Sequence, residues 1–127
     1  MLRNVASPTM TGFAVGATPV YFTGGSGHFW AVYDAGANGF NGFTTWYCSG
    51  ANRTATAVYI NRNYHDGSTT YSKTNTAGHE LGHQVGLGHS AYSSLMGSYN
   101  HVIPNSDDTC GVNNVYTSTS WPPTCGY

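Results

Sequence analysis

The chain has 127 residues, a length that suits one domain, residues 1–127, and is too short for two. Four Lys or Arg against five Asp or Glu leave a formal net charge of −1, with no basic run to neutralise phosphates, so no nucleic-acid partner is expected. No stretch reaches the ~20 apolar residues of a membrane span, and ten Tyr, five Phe and three Trp supply the large apolar groups that disordered chains lack.

In chain order, residues 1–27 are punctuated by Pro8, Gly12, Gly16, Pro19 and Gly24-Gly25, with short strands expected at Gly12–Val15 and Val20–Thr23. His28–Tyr33 is aromatic and β-prone. Asp34–Gly42 is a turn-rich loop, and Phe43–Cys48 reads as a further strand. Thr54–Asn61 gives the best strand signal: Thr56, Val58 and Ile60 alternate with Ala57, Tyr59 and Asn61, so the β-branched members share one face. A polar linker, Arg62–Lys73, leads to a helix capped by Thr74, Asn75 or Thr76, running to about Val85 and stopped by Gly86. Asp107 is expected to cap a short last helix, with Val112, Val115 and Tyr116 at helical spacing. The tail from Thr117, with Pro122-Pro123, reads as irregular. No internal repeat is present.

Low charge with 17 glycines and many Ser, Thr, Asn and Tyr reads as an extracellular surface on a loop-rich domain. No continuous apolar run follows Arg3, so no signal peptide is read there. Cys48, Cys110 and Cys125 cannot all pair within one chain. One disulfide and one free thiol is the leading expectation, with Cys110–Cys125 and Cys48–Cys110 as rival pairings and three reduced thiols as the alternative.

The chemistry concentrates in His79-Glu80-Leu81-Gly82-His83-Gln84-Val85-Gly86-Leu87-Gly88-His89-Ser90. Histidines four apart lie one turn above each other on a helix, so His79 and His83 converge on one cation. Leu81 and Val85 fall on the opposite side and face the core. Catalytic zinc usually takes three protein ligands and keeps a fourth position for water. His89 supplies the third if the chain turns sharply, which Gly86 permits by tolerating positive φ. Glu80, the chain's sole glutamate, points aside from the metal direction and is placed to take the proton of a zinc-held water.

The full H-E-x-x-H-x-x-G-x-x-H pattern from His79 to His89 resembles the metzincin metallopeptidases. Met96, in Ser94-Leu95-Met96-Gly97 and seven residues after His89, resembles the methionine that packs beneath the zinc site in that family. Ser90, Leu95-Met96 and the stretch Asp107-Asp108, Gly111-Val112 and Tyr116 look most like the matrixin-type branch. The resemblance implies an α+β zincin fold: a twisted mixed sheet on the zinc-bearing helix, then an irregular C-terminal part. It implies a secreted, monomeric zinc endopeptidase acting on peptides or unfolded proteins. It also implies a long helix before the first sheet strands, yet no 3.6-period segment precedes residue 43.

Weaker readings stand beside these. Some metzincins place an oxyanion-stabilising tyrosine two residues past the methionine. Tyr99 is three past, so a pocket-wall role is the alternative. Tyr99, Val102 and Ile103 suggest an apolar specificity pocket. Thr54–Asn61 is either the edge strand that pairs with substrate or a central strand. Asp34, Gly36, Asn38 and Gly39 offer calcium-type oxygens but lack the ordered spacing of a calcium loop, so a solvated turn is preferred. His28, His65 and His101 fit no ligand pattern, and Asn52-Arg53-Thr54 is a glycosylation sequon. Two further functions compete: a zinc-stabilised binding domain or inactive fragment, and a zincin whose third ligand is Asp107 or Asp108.

Overall fold

The structure, a computed structural model, describes residues 14–15, 18–19, 28–49, 52–97 and 101–117. Two short strands come first, β1 (Ala14–Val15) and β2 (Thr18–Pro19), paired antiparallel. The expected strand at Val20–Thr23 lies outside the described residues.

Three longer strands follow: β3 (His28–Tyr33), β4 (Gly42–Ser49) and β5 (Asn52–Asn61). They form a mixed sheet in the order β3-β5-β4, with β5 parallel to β3 and antiparallel to β4. The alternation along β5 does what its residue types dictate. Thr56, Val58 and Ile60 are each at most 1% exposed. The sheet corrects one reading of the sequence: β5 is paired on both sides and has no edge to offer a peptide. Among the described residues β5 takes the centre of the sheet and the edge next to the helix is β4.

The polar stretch after β5 is not a plain linker. It holds a one-turn helix, α1 (Arg62–His65), whose N-cap Asn61 accepts a hydrogen bond from the Asn63 N–H. The long helix α2 (Thr70–Gln84) begins five residues before the earliest start read from the sequence, its cap being Thr69 and not Thr74. Thr69 is extended and its hydroxyl accepts from the Ser72 N–H at 3.2 Å, so it caps first in a run of cap-competent residues. Thr74, an alternative cap, is instead inside the helix and donates to the Thr70 carbonyl.

Helix α2 lies across β4 and β5. Ala77, Leu81 and Val85 are buried, as are Val58 and Ile60 of the sheet. Gln84, also buried, donates to the Thr56 hydroxyl at 2.8 Å, so a polar pair inside the core is satisfied. The last helix, α3 (Ser106–Thr117), brings Val112 into the core. Its cap is Asn105 in place of Asp107: the Asn105 side-chain oxygen accepts from the Asp107 and Asp108 N–H groups. Asp108 reciprocates by accepting from the Asn105 N–H, which completes a capping box. Asp107 is drawn elsewhere, to the Ser90 hydroxyl.

Candidate metal centre

Helix α2 ends where glycine lets it. The Gly86 N–H bonds the His83 carbonyl and the Leu87 N–H bonds the Gly82 carbonyl, the paired bonds of a Schellman cap. Gly86 has φ 110°, a conformation that other residues reach only under strain. The chain reverses there and carries His89 back over the last turn. His79 and His83 stand with ring centroids 4.7 Å apart, and the His89 ring lies 5.2 Å from the first and 4.8 Å from the second. One ligand atom from each of the three lies within 4.8 Å of the others.

Two hydrogen bonds fix which nitrogen faces the centre. His79 Nδ1 lies 2.8 Å from the Leu95 carbonyl and His83 Nδ1 lies 2.8 Å from the Leu87 carbonyl. A carbonyl only accepts, so each Nδ1 carries the proton and leaves Nε2 its lone pair. His83 Nε2 and His89 Nε2 are 3.2 Å apart. Zinc–nitrogen bonds of ~2.0–2.1 Å in tetrahedral array put nitrogens about 3.3 Å apart, the spacing of the His83–His89 pair, and three imidazoles are a donor set that suits that ion. Burial lowers the His79 pKa below its ordinary value, which favours the neutral, ligating ring.

Glu80 is buried beside these rings. Its Oε2 accepts from the Thr44 hydroxyl at 2.7 Å. Burial pushes its pKa from 4.5 up to about 7, against the opposing pull of the Thr44 bond. Space for the carboxylate comes from β4: a Cβ on Gly42 would stand 2.9 Å from the Tyr59 carbonyl and 3.1 Å from Glu80 Cγ and Oε1. Thr44 and Gly42 both escape sequence reading, since only the β4–α2 packing brings them to Glu80.

The floor is Met96, fully buried. A Cβ on Gly82 would collide with Met96 Sδ, so the glycine between the two helix histidines is what admits the methionine. Asp108, with no exposed surface, holds this turn: its two oxygens accept from the Leu95 and Met96 N–H groups at 3.0 Å each. The Ser90 N–H returns to the Met96 carbonyl at 3.0 Å. The Asn-x-x-Asp pattern ahead of Val112 was the available signal for Asp108.

A cleft of about 430 Å³ opens over the site, between the rim Gly39–Gly42 and the turn Leu95–Gly97, with His79, Glu80 and His89 in its wall. Among the described residues, the three histidines are the sole group of three or more metal-binding side chains. Asp107 and Asp108 are committed to Ser90 and to the Met96 turn, which removes the reading that either is the third ligand. His65 neighbours Asp66 at 3.8 Å and His101 neighbours Ser93 at 3.2 Å, both away from the centre. Tyr99 lies outside the described residues. Val102 and Ile103 do not line the cleft, and Ile103 is exposed, which corrects the pocket inferred from them.

No curated protein and no solved structure matches the chain. The family model described as Matrixin matches residues 23–117, the span that contains the sheet, the three histidines, the Met96 turn and the last helix. By that match the chain belongs to the matrixin family of metzincin metallopeptidases.

Proposed function

We propose that the chain is a zinc-dependent endopeptidase, a single catalytic domain in which His79, His83 and His89 hold the metal and Glu80 moves the proton. The observation that carries this reading is the convergence of three imidazoles next to one buried carboxylate in an open cleft. Zinc, when bound, supplies Lewis acidity that polarises the scissile carbonyl and makes a water acidic near neutral pH. Glu80 takes a proton from the attacking water as its oxygen bonds the carbonyl carbon. It delivers that proton to the amide nitrogen as the carbon–nitrogen bond breaks. A carboxylate whose pKa is raised toward neutrality can hold a proton between those two transfers. Thr44 fixes the carboxylate against β4.

Strand β4 starts at the cleft with Gly42 and presents the sheet edge there. An extended peptide pairs with such an edge through its backbone, which suits unfolded protein segments as substrates. We further propose that the protein acts as a monomer outside the cytoplasm. Its low charge supports this.

Zinc content and digestion of an unfolded protein, measured in parallel on the native protein and on Glu80→Gln, test the reading. One zinc in each is expected, with cleavage lowered ~10²–10⁴-fold in the variant. Full activity in Glu80→Gln sinks the proton-transfer assignment. Zinc in both with cleavage by neither identifies a zinc-stabilised binding domain instead.

A further inference from the structure

The loop between β3 and β4, residues 34–41, ends in one wall of the cleft, where Gly39, Phe40 and Asn41 face His79 and Glu80 across the opening. Its own side chains supply two short-range bonds, Asp34 Oδ1 accepting from the Gly36 N–H and Asn38 Oδ1 from the Phe40 N–H, and the Tyr64 hydroxyl accepts from the Gly39 N–H. The loop is glycine-rich and polar, Gly36 and Gly39 take φ of 70° and 86°, and its one large apolar residue, Phe40, is 61% exposed. A segment with so little buried apolar surface opens readily unless polar contacts fix it.

Asn61, the last residue of β5, supplies most of the contacts that join the loop to the sheet, and it is only 4% exposed. Its Nδ2 donates toward three oxygens: the Gly36 carbonyl at 2.9 Å, the Phe40 carbonyl at 3.1 Å and Asn38 Oδ1 at 3.1 Å. Its Oδ1 accepts from the Ala35 N–H at 3.0 Å and the Asn63 N–H at 3.2 Å. Its backbone N–H donates to the Asn41 carbonyl at 2.9 Å. The two backbone N–H groups fix the amide orientation, since only the oxygen can face them. Three oxygens turned toward one point are how a protein loop surrounds a hard cation. Here the point is the positive end of an amide dipole, tethered to the sheet.

We propose that Asn61 is a positioning residue for substrate binding: its amide stands in for a cation at the centre of the rim loop and so sets the cleft wall at Gly39–Asn41. The part of this that concerns substrate rests on the peptidase reading above. Asn61 reaches neither the histidines nor Glu80 in any of its hydrogen bonds, so its effect belongs to binding and not to the chemical step.

The test is Asn61→Asp, nearly isosteric, in the full zinc-loaded chain. An ionised carboxylate there opposes three oxygens, and calcium relieves the repulsion. Without calcium, the variant should keep its zinc, melt earlier than the native protein and show KM raised about tenfold with kcat within about twofold. Millimolar calcium should raise the variant's Tm by several degrees, return KM toward the native value and leave the native protein's Tm in place. Calcium raising the native Tm equally would mean that the oxygens already take a cation, and the proposal would fall. So it would if calcium left the variant unmoved, or if kcat fell while KM held. If neither protein cleaves peptide, the peptidase reading is wrong, and the calcium-dependent melting still decides the role of Asn61. Should Asn61→Asp not fold, Asn38→Ala removes one of the three oxygens from an exposed position; KM should then rise about threefold with zinc retained, and an unchanged KM overturns the proposal.

Discussion

At the residue scale, Glu80 couples the candidate chemistry to stability. Its carboxyl is desolvated against β4 and held by one hydroxyl, so the folded protein favours the protonated form up to about pH 7, against an ordinary value of 4.5. For an acid shifted in this direction, both states are protonated below 4.5 and folding incurs no penalty. Between 4.5 and 7 the unfolded chain ionises first, so stability falls as pH rises, and above 7 the loss is complete. The metal-free protein should therefore lose up to ~3 kcal/mol across that window relative to Glu80→Gln, which cannot ionise. His79 acts with the opposite sign. Its depressed value favours folding above 6.5, and that contribution is lost as pH falls from 6.5 toward the folded value. Because both proteins carry His79, the difference between them isolates Glu80. Denaturant unfolding of the two apoproteins at several pH values from 4 to 8 measures it, and parallel curves would refute the desolvation argument.

At the scale of elements, the site depends on two joints, one inside the histidine motif and one outside it. One is the Schellman cap at Gly86, which reverses the chain after α2. The other is Asp108, through which the first turn of α3 grips the Met96 turn. Removing this carboxylate leaves two buried N–H groups without those acceptors and loosens the Leu95 carbonyl that orients His79. Asp108→Ala should cost about 2–4 kcal/mol in stability and weaken zinc binding measurably. Urea unfolding with a zinc-competition titration checks both. A loss under ~1 kcal/mol with zinc affinity intact would show that the turn is held by packing alone.

For the whole molecule, sheet, long helix and last helix meet around one small core in which Met96, Val58 and Val112 are fully buried. With so modest a core, a metal that binds only the folded state adds a large share of the total stability: ~2.7 kcal/mol at a free concentration 100-fold above Kd. Chelation should lower Tm by ~10 °C, since about 1 kcal/mol moves a domain of this size by several degrees. His89→Ala should melt nearly alike with and without chelator. If chelation left the native Tm unmoved, the three histidines would not be a structural metal centre.

The sequence by itself determined the parts whose physics is local. The four-residue spacing of His79 and His83, the turn at Gly86 and the two-residue alternation in β5 each follow from backbone geometry that a short segment carries alone. The matrixin resemblance and the helix over His79 were legible for the same reason. Helix starts were less so, because Thr69, Thr74 and Thr76 are equally able caps until neighbouring contacts choose one. Only the tertiary structure decided that β5 is central and β4 the edge, that Thr44 and Gly42 shape the seat of Glu80, and that Asn61 and Asp108 hold the cleft's two walls. Each of these is a pairing between residues 12 to 38 positions apart. No periodicity or spacing in one sequence encodes such a pairing; burial of the sheet against the helix creates it.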